Sequence, residues 1–313
     1  GPAQKNKLEA EGSRMSALSR KSVRWGESIL ERAFFLCAFL SVITTAVVIF
    51  ILIRETLIFF ESVSVTEFLF GTRWTPLLEP KSYGILPLVA GTALIVIGVA
   101  VLALPIGVAC AVFLSEYASA RTRSIIKPTL EVLAGIPTVV YGFFALTFVT
   151  PLIRTFIPDT QVFNAACAAI VVGIMGLPRV ASLCDDALRA VPQALRHGAY
   201  SLGATSFEVT TRVVVPAGLS GIFAAFVLAV SRAIGETMAV TLAAGATPNL
   251  TLNPLESIQT MTAYIVQVSL GDTPAGSLTY QTLFAVATLL FAATLILNIF
   301  GTWIMKRFRE VYE

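Results

Sequence analysis

The chain has 313 residues, of which 56% are apolar and only 13% charged, with a net charge of +3. A soluble domain carries roughly 25% charged residues, so a water-exposed surface of ordinary design is excluded. The apolar residues come in long blocks, which makes lipid the natural solvent and predicts an all-α, polytopic bundle of six transmembrane helices.

Gly1-Pro2 has the form of a protease remnant, Met15 reads as the native start, and residues 1–14 are set aside on that ground. Residues 1–32 form a cytoplasmic N-terminal segment. The first span is 33–53, flanked by Arg32 and by Arg54-Glu55. Residues 61–82 read as an external loop. A second span covers about 87–115, with Pro87 near its start and a kink expected at Pro105. The third covers about 128–153, with Glu131 near its start and Gly135-Ile136-Pro137 in its first turns. The fourth covers 160–178. The fifth runs from Val213 through Arg232 and Glu236 to about Ala244, and the sixth from about Tyr280 to Met305. The transmembrane domain is thus 33–305, and 306–313 is a cytoplasmic tail.

Between the fourth and fifth spans lies a cytoplasmic loop of about 179–216. Leu183, Leu188, Val191, Leu195, Tyr200 and Phe207 fall at helical spacing there, which predicts a folded helical pair punctuated by Pro192 and Gly198. With the N-terminus inside, seventeen Lys and Arg residues fall in inner segments against four in outer ones, or fourteen against four without residues 1–14. Both termini are therefore expected in the cytoplasm. Trp25, Trp74 and Trp303 fall near span ends and read as interfacial anchors. Cys37, Cys110, Cys167 and Cys184 form no C-x-x-C pair and read as small hydrophobes. His197 is the only histidine, which excludes a multi-histidine metal site.

Arg232 and Glu236 carry the chemistry. Four residues apart, they are expected on one face of one helix, each offsetting part of the other's cost in the membrane. An intramembrane Arg that faces the bundle is a good anion ligand, because its guanidinium presents a fork of donors to an oxyanion. The alternative is a buried pair that only fixes helix packing. Thr138, Tyr141, Ser231 and Thr237 offer hydroxyls to a passing anion or, equally, to helical carbonyls. No G-x-x-x-x-G-K-[ST] occurs, so energy must come from a partner ATPase or an ion gradient.

The stretch from His197 through Gly198, Ala199, Tyr200 and Gly203 to Pro216 resembles the E-A-A-x3-G-x9-I-x-L-P loop of ABC-transporter permeases. Gly203 falls on the motif glycine, Ala199 on its second alanine and Pro216 on its proline. His197 and Gly198 depart from the usual Glu and Ala. Ile174–Pro178, Ala134–Gly142, Leu202-Gly203-Ala204-Thr205 and Arg232–Val240 are similar to the permeases of phosphate-specific ABC importers. Met238-Ala239-Val240 favours the PstC type over its sister PstA. The resemblance covers roughly 25–310 and implies a MetI-like permease fold. It further implies a PstA-like partner permease, two PstB-like ATPase subunits and a PstS-like phosphate-binding protein. The chain itself would bind no cofactor, with ATP and Mg held by the ATPase. Arg232 and Glu236 would line the substrate pathway, with Thr237, Thr138 and Tyr141 beside them. His197, Gly198, Ala199, Tyr200, Gly203, Ala204 and Pro216 would form the coupling element. A permease for another oxyanion and a secondary anion transporter are the competing readings; an intramembrane enzyme lacks a metal cluster or nucleophile–base pair.

Overall fold

A backbone in hydrocarbon must satisfy its own hydrogen bonds, so the apolar blocks fold as helices. The structure, a computed structural model, describes residues 25–308. Met15, Arg309, the basic residues up to Arg24 and the side chain of Trp25 lie outside what is described. Among the described residues there is one isolated bridge, Trp74 with Tyr83, and no sheet. Among the described residues five helices are long and apolar enough to cross a membrane, or six if a bent pair is counted as one span.

Two units divide the chain, one ending at Ile51 and the other beginning at Leu52. The first contains most of α1 (Trp25–Ser62), which is strongly apolar from Ile29 onward. α1 does not stop at Ile53 as expected; it carries Arg54 and Glu55 within the helix, on stems long enough to reach polar surroundings.

The second unit opens with the end of α1 and a short helix, α2 (Val65–Phe70), capped by Ser64, whose hydroxyl accepts from the Glu67 N–H at 3.2 Å. The segment 61–82 is therefore folded. Phe59, Phe68, Trp74, Tyr83 and Tyr264 pack edge to face, with Trp74 and Tyr264 centroids 4.9 Å apart. Trp74 is 1% exposed, so it is a core residue and not an interfacial anchor. Aromatic burial outweighs an interfacial position here. Trp303 keeps an exposed place near the end of the last helix.

The centre of this unit is the pair α3 (Leu86–Tyr117) and α6 (Ala165–Arg189). α3 continues through Pro105 unbroken and ends in a π turn, Phe113–Tyr117. The two helices approach closely: a Cβ on Gly107 would lie 2.5 Å from Val180 Cγ1. Small residues at such contacts let membrane helices pack where hydrophobicity drives nothing.

Two further span boundaries differ from expectation. The third span begins at Thr138, not near 128, because Gly135-Ile136-Pro137 separates α4 (Ala120–Ala134) from α5 (Thr138–Phe156). Pro137 disfavours the α conformation at Ile136 and so starts a new helix. α4 carries Arg121, Arg123, Lys127 and Glu131 and is held to α6 by ion pairs from Arg123 and Lys127 to Asp185. The fourth span does not end at Pro178; α6 runs through it to Arg189. The loop beyond holds α7 (Gln193–Ser201) and α8 (Ser206–Ala217), the helical pair expected. Its turn is made by Gly203, at φ +82°, where glycine avoids the strain of a Cβ. Gly198 does not punctuate; it lies within α7.

α8 bends by 66° at Gly218 into α9 (Leu219–Gly235), which is followed by α10 (Met238–Ala244), α11 (Met261–Leu270) and α12 (Leu278–Phe308). The end of the bundle holding α7 has its own apolar core of Ala111, Val180, Leu188, Val191, Val209 and Val214.

Candidate functional site

The fifth span is not one helix. α9 ends at Gly235, Glu236 is extended (φ −67°, ψ 130°), and Thr237 immediately precedes α10. Arg232 and Glu236 therefore do not share a helix face, and among the described residues no ion pair joins them. Gly235 is the physical cause, since glycine loses most by staying helical. Glu236 is 8% exposed; its carboxylate accepts from the Ala239 N–H at 3.5 Å, at the start of α10. Its carbonyl accepts from the Thr262 hydroxyl at 2.9 Å. Thr237 donates to the Gly235 carbonyl at 3.0 Å.

Arg232 is exposed and lines a narrow cleft between α3, α6 and α9. Val99, Ala103, Val172, Met175 and Ala229 wall it, and its only charged lining residues are Arg232 and Arg179. Both guanidiniums line this one cleft, from α6 and α9. Among the described residues neither has a carboxylate partner. The nearby ion pairs lie elsewhere, at Arg123–Asp185 and Arg196–Glu116. Two unneutralised cations against apolar walls repel each other, and an anion between them relieves that repulsion.

Arg179 is the residue that the sequence reading missed as part of the site, because it was counted as a loop charge. Thr138 and Tyr141 are not brought to this cleft. Tyr141 lines a separate apolar groove with Ile136, Val140 and Pro178, and its hydroxyl donates to the Leu133 carbonyl at 3.1 Å. Ser231 donates to Asn298 on α12 at 2.8 Å.

At the far end, α7 is amphipathic. Leu195, Arg196 and Ala199 face the core, while His197, Gly198, Tyr200 and Ser201 are exposed. Leu202 is 90% exposed, with Gly203 and Phe207 beside it. Ala204 is half-buried and Pro216 is exposed near the bend. A capping box closes the start of α8, with Thr205 and Glu208 bonded reciprocally.

The chain belongs to the family of binding-protein-dependent transport system inner membrane components, whose description matches residues 103–310. It is 34% identical to the probable ABC transporter permease protein YqgH of Bacillus subtilis over 78% of this chain and 79% of that one. It is 31% identical to the phosphate transport system permease protein PstC of Haemophilus influenzae, over 91% of this chain and 95% of that one. Within the family it therefore groups with the PstC permeases. A solved bacterial ABC transporter involved in importing the polysaccharide alginate shares the fold, with TM-score 0.62 at 15% identity over 90% of this chain and 99% of that one. The protein is thus a multi-pass membrane permease that works within an ABC importer alongside other permease, ATPase and binding-protein subunits. The secondary-transporter reading is set aside by this membership.

Proposed function

We propose that the chain forms half of the pore of an ATP-driven phosphate importer in the bacterial inner membrane. Its partners are a PstA-like permease, two PstB-like ATPase subunits and a PstS-like phosphate-binding protein. The observation that carries this reading is the cleft in which Arg179 and Arg232 stand without carboxylates, in a chain akin to PstC permeases. Placing an Arg at mid-span costs about 2.5–3.5 kcal/mol on the insertion scale. Two such residues against one cleft are accounted for by a ligand of opposite charge, and guanidinium forks suit tetrahedral oxyanions.

Both termini face the cytoplasm, following the excess of Lys and Arg in the inner segments. α7 and the Gly203 turn then point to the cytoplasm, where Tyr200, Leu202 and Phe207 dock on an ATPase subunit. ATP and Mg are held there; the chain binds no cofactor and catalyses no hydrolysis. Nucleotide-driven closure shifts α7 as a rigid element and opens the cleft to the outer side. Glu236, at the adjoining break, disfavours prolonged anion binding, so the solute leaves as well as enters. Thr237, beside Glu236 at the break, offers its hydroxyl along the route.

The test is phosphate uptake by the reconstituted complex. Arg232→Ala abolishes uptake while the ATPase and sister permease still co-purify. Wild-type uptake by that variant overturns the role given to the cleft. Uptake of sulfate or molybdate in preference to phosphate overturns the substrate.

A further inference from the structure

We propose that Arg196 is a positioning residue that fastens α7 to the ends of α3 and α6, so that motion of α7 reaches the walls of the arginine cleft. This inference rests on the reading of α7 as the ATPase-docking helix.

Arg196 is buried on α7, with its side chain 8% exposed, while His197 next to it is exposed. The guanidinium meets Glu116 with two bonds, Nη2 to Oε1 at 3.0 Å and Nε to Oε2 at 3.3 Å. It also donates to the Leu188 carbonyl at 2.8 Å and to the Val191 carbonyl at 2.6 Å. Leu188 lies in the last turn of α6, where the helix dipole favours a cation. Glu116 lies in the π turn that ends α3, and Ser115 donates to it at 2.7 Å. Such π turns recur at functional sites. One side chain on α7 thus bonds two of the three helices that wall the cleft: α3, which does so through Val99 and Ala103, and α6, through Met175 and Arg179.

Stability alone is a poor explanation. Desolvating two charges offsets most of what a buried pair gains, and well-packed apolar residues often serve as well. What an apolar contact would lack is direction. Two bonds to a carboxylate and two to carbonyls fix where α7 sits on both helices. The Gly107–Val180 contact keeps α3 and α6 together, so a push on α7 is delivered to the pair as a block.

The whole complex in proteoliposomes gives the test, with phosphate uptake and ATP turnover read from one sample. Arg196→Met leaves a buried carboxylate unpaired and lowers thermal stability. The double variant Glu116→Leu with Arg196→Met removes both charges and recovers the melting temperature. In both variants the ATPase co-purifies and turns over, yet phosphate moved per ATP falls about tenfold, within the range that linkage mutations reach. Arg196→Lys, which keeps the charge but not the fork, recovers coupling only in part. A stable double variant with wild-type phosphate per ATP overturns the linkage, and so does a parallel fall of uptake and turnover. The docking reading fails separately, if Leu202→Asp at the exposed end of α7 leaves ATPase binding unchanged.

Discussion

The Thr262 hydroxyl donates to the backbone carbonyl of Glu236 at 2.9 Å, and both residues are buried. Glu236 is extended between α9 and α10, so this carbonyl has no helical donor of its own. Thr262, at the start of α11, supplies one and holds the break in place. Thr262→Val keeps the shape and deletes the donor. An unpaired buried carbonyl costs about 1–3 kcal/mol, and a lowered melting temperature of the purified complex is expected. Thr262→Ser retains the bond and stays close to wild type. Equal melting of all three proteins would mean the carbonyl is satisfied in another way.

Arg179 and Arg232 face one cleft from different helices. If one anion bridges them, each single loss already removes the bridging geometry. Arg179→Gln is therefore expected to lower initial phosphate uptake as much as Arg232→Gln, with the double variant scarcely worse than either. Residues acting on one ligand couple in this way, whereas independent sites add. Additive losses across the four proteins would separate the two arginines.

Arg232 was legible in the sequence because a charge inside an apolar run stands out against its surroundings. Arg179 was not, since Pro178 suggested a helix end. α6 passes through that proline, as membrane helices do when neighbours satisfy the freed backbone. The periodicity of the loop gave α7 and α8 correctly, but it placed the turn at Gly198. A glycine inside a short helix and one at a left-handed turn look alike without coordinates. The supposed Arg232–Glu236 pair assumed a continuous helix across Gly235, and the break there separates them. The contact of Glu116 with Arg196 joins residues eighty positions apart. No local pattern reports such a pair.

Gly198 and Gly203 make a direct comparison. A Cβ at Gly203 meets no atom within 4 Å, so Gly203→Ala tests only the backbone at φ +82°. Left-handed backbone costs an L-residue about 1–2 kcal/mol. Gly198 also has open space around it, within α7. There alanine is favoured over glycine by about 0.5–1 kcal/mol. Opposite shifts in melting temperature are expected, downward for Gly203→Ala and upward for Gly198→Ala. Shifts of the same sign would contradict the assignment of the turn.

Glu208 gives the start of α8 a pH dependence. Its carboxylate accepts from the Thr205 N–H at 2.9 Å and from the Thr205 hydroxyl at 3.0 Å. The backbone bond chiefly, then the hydroxyl, hold its pKa below the ordinary 4.5, with Arg212 adding a smaller pull. A carboxyl with a depressed folded pKa stabilises the fold above its unfolded value and loses that contribution as pH falls through the folded one. Amide-exchange protection across Thr205–Val209 should be flat above about pH 5 and weaken as acid protonates the box. Glu208→Gln keeps an acceptor oxygen without a titrating group. Its protection should be lower at neutral pH, because a neutral acceptor bonds the N–H more weakly than a carboxylate, and level on acidification. A Gln variant that loses protection over the same pH range as wild type would place the titrating group elsewhere in the loop.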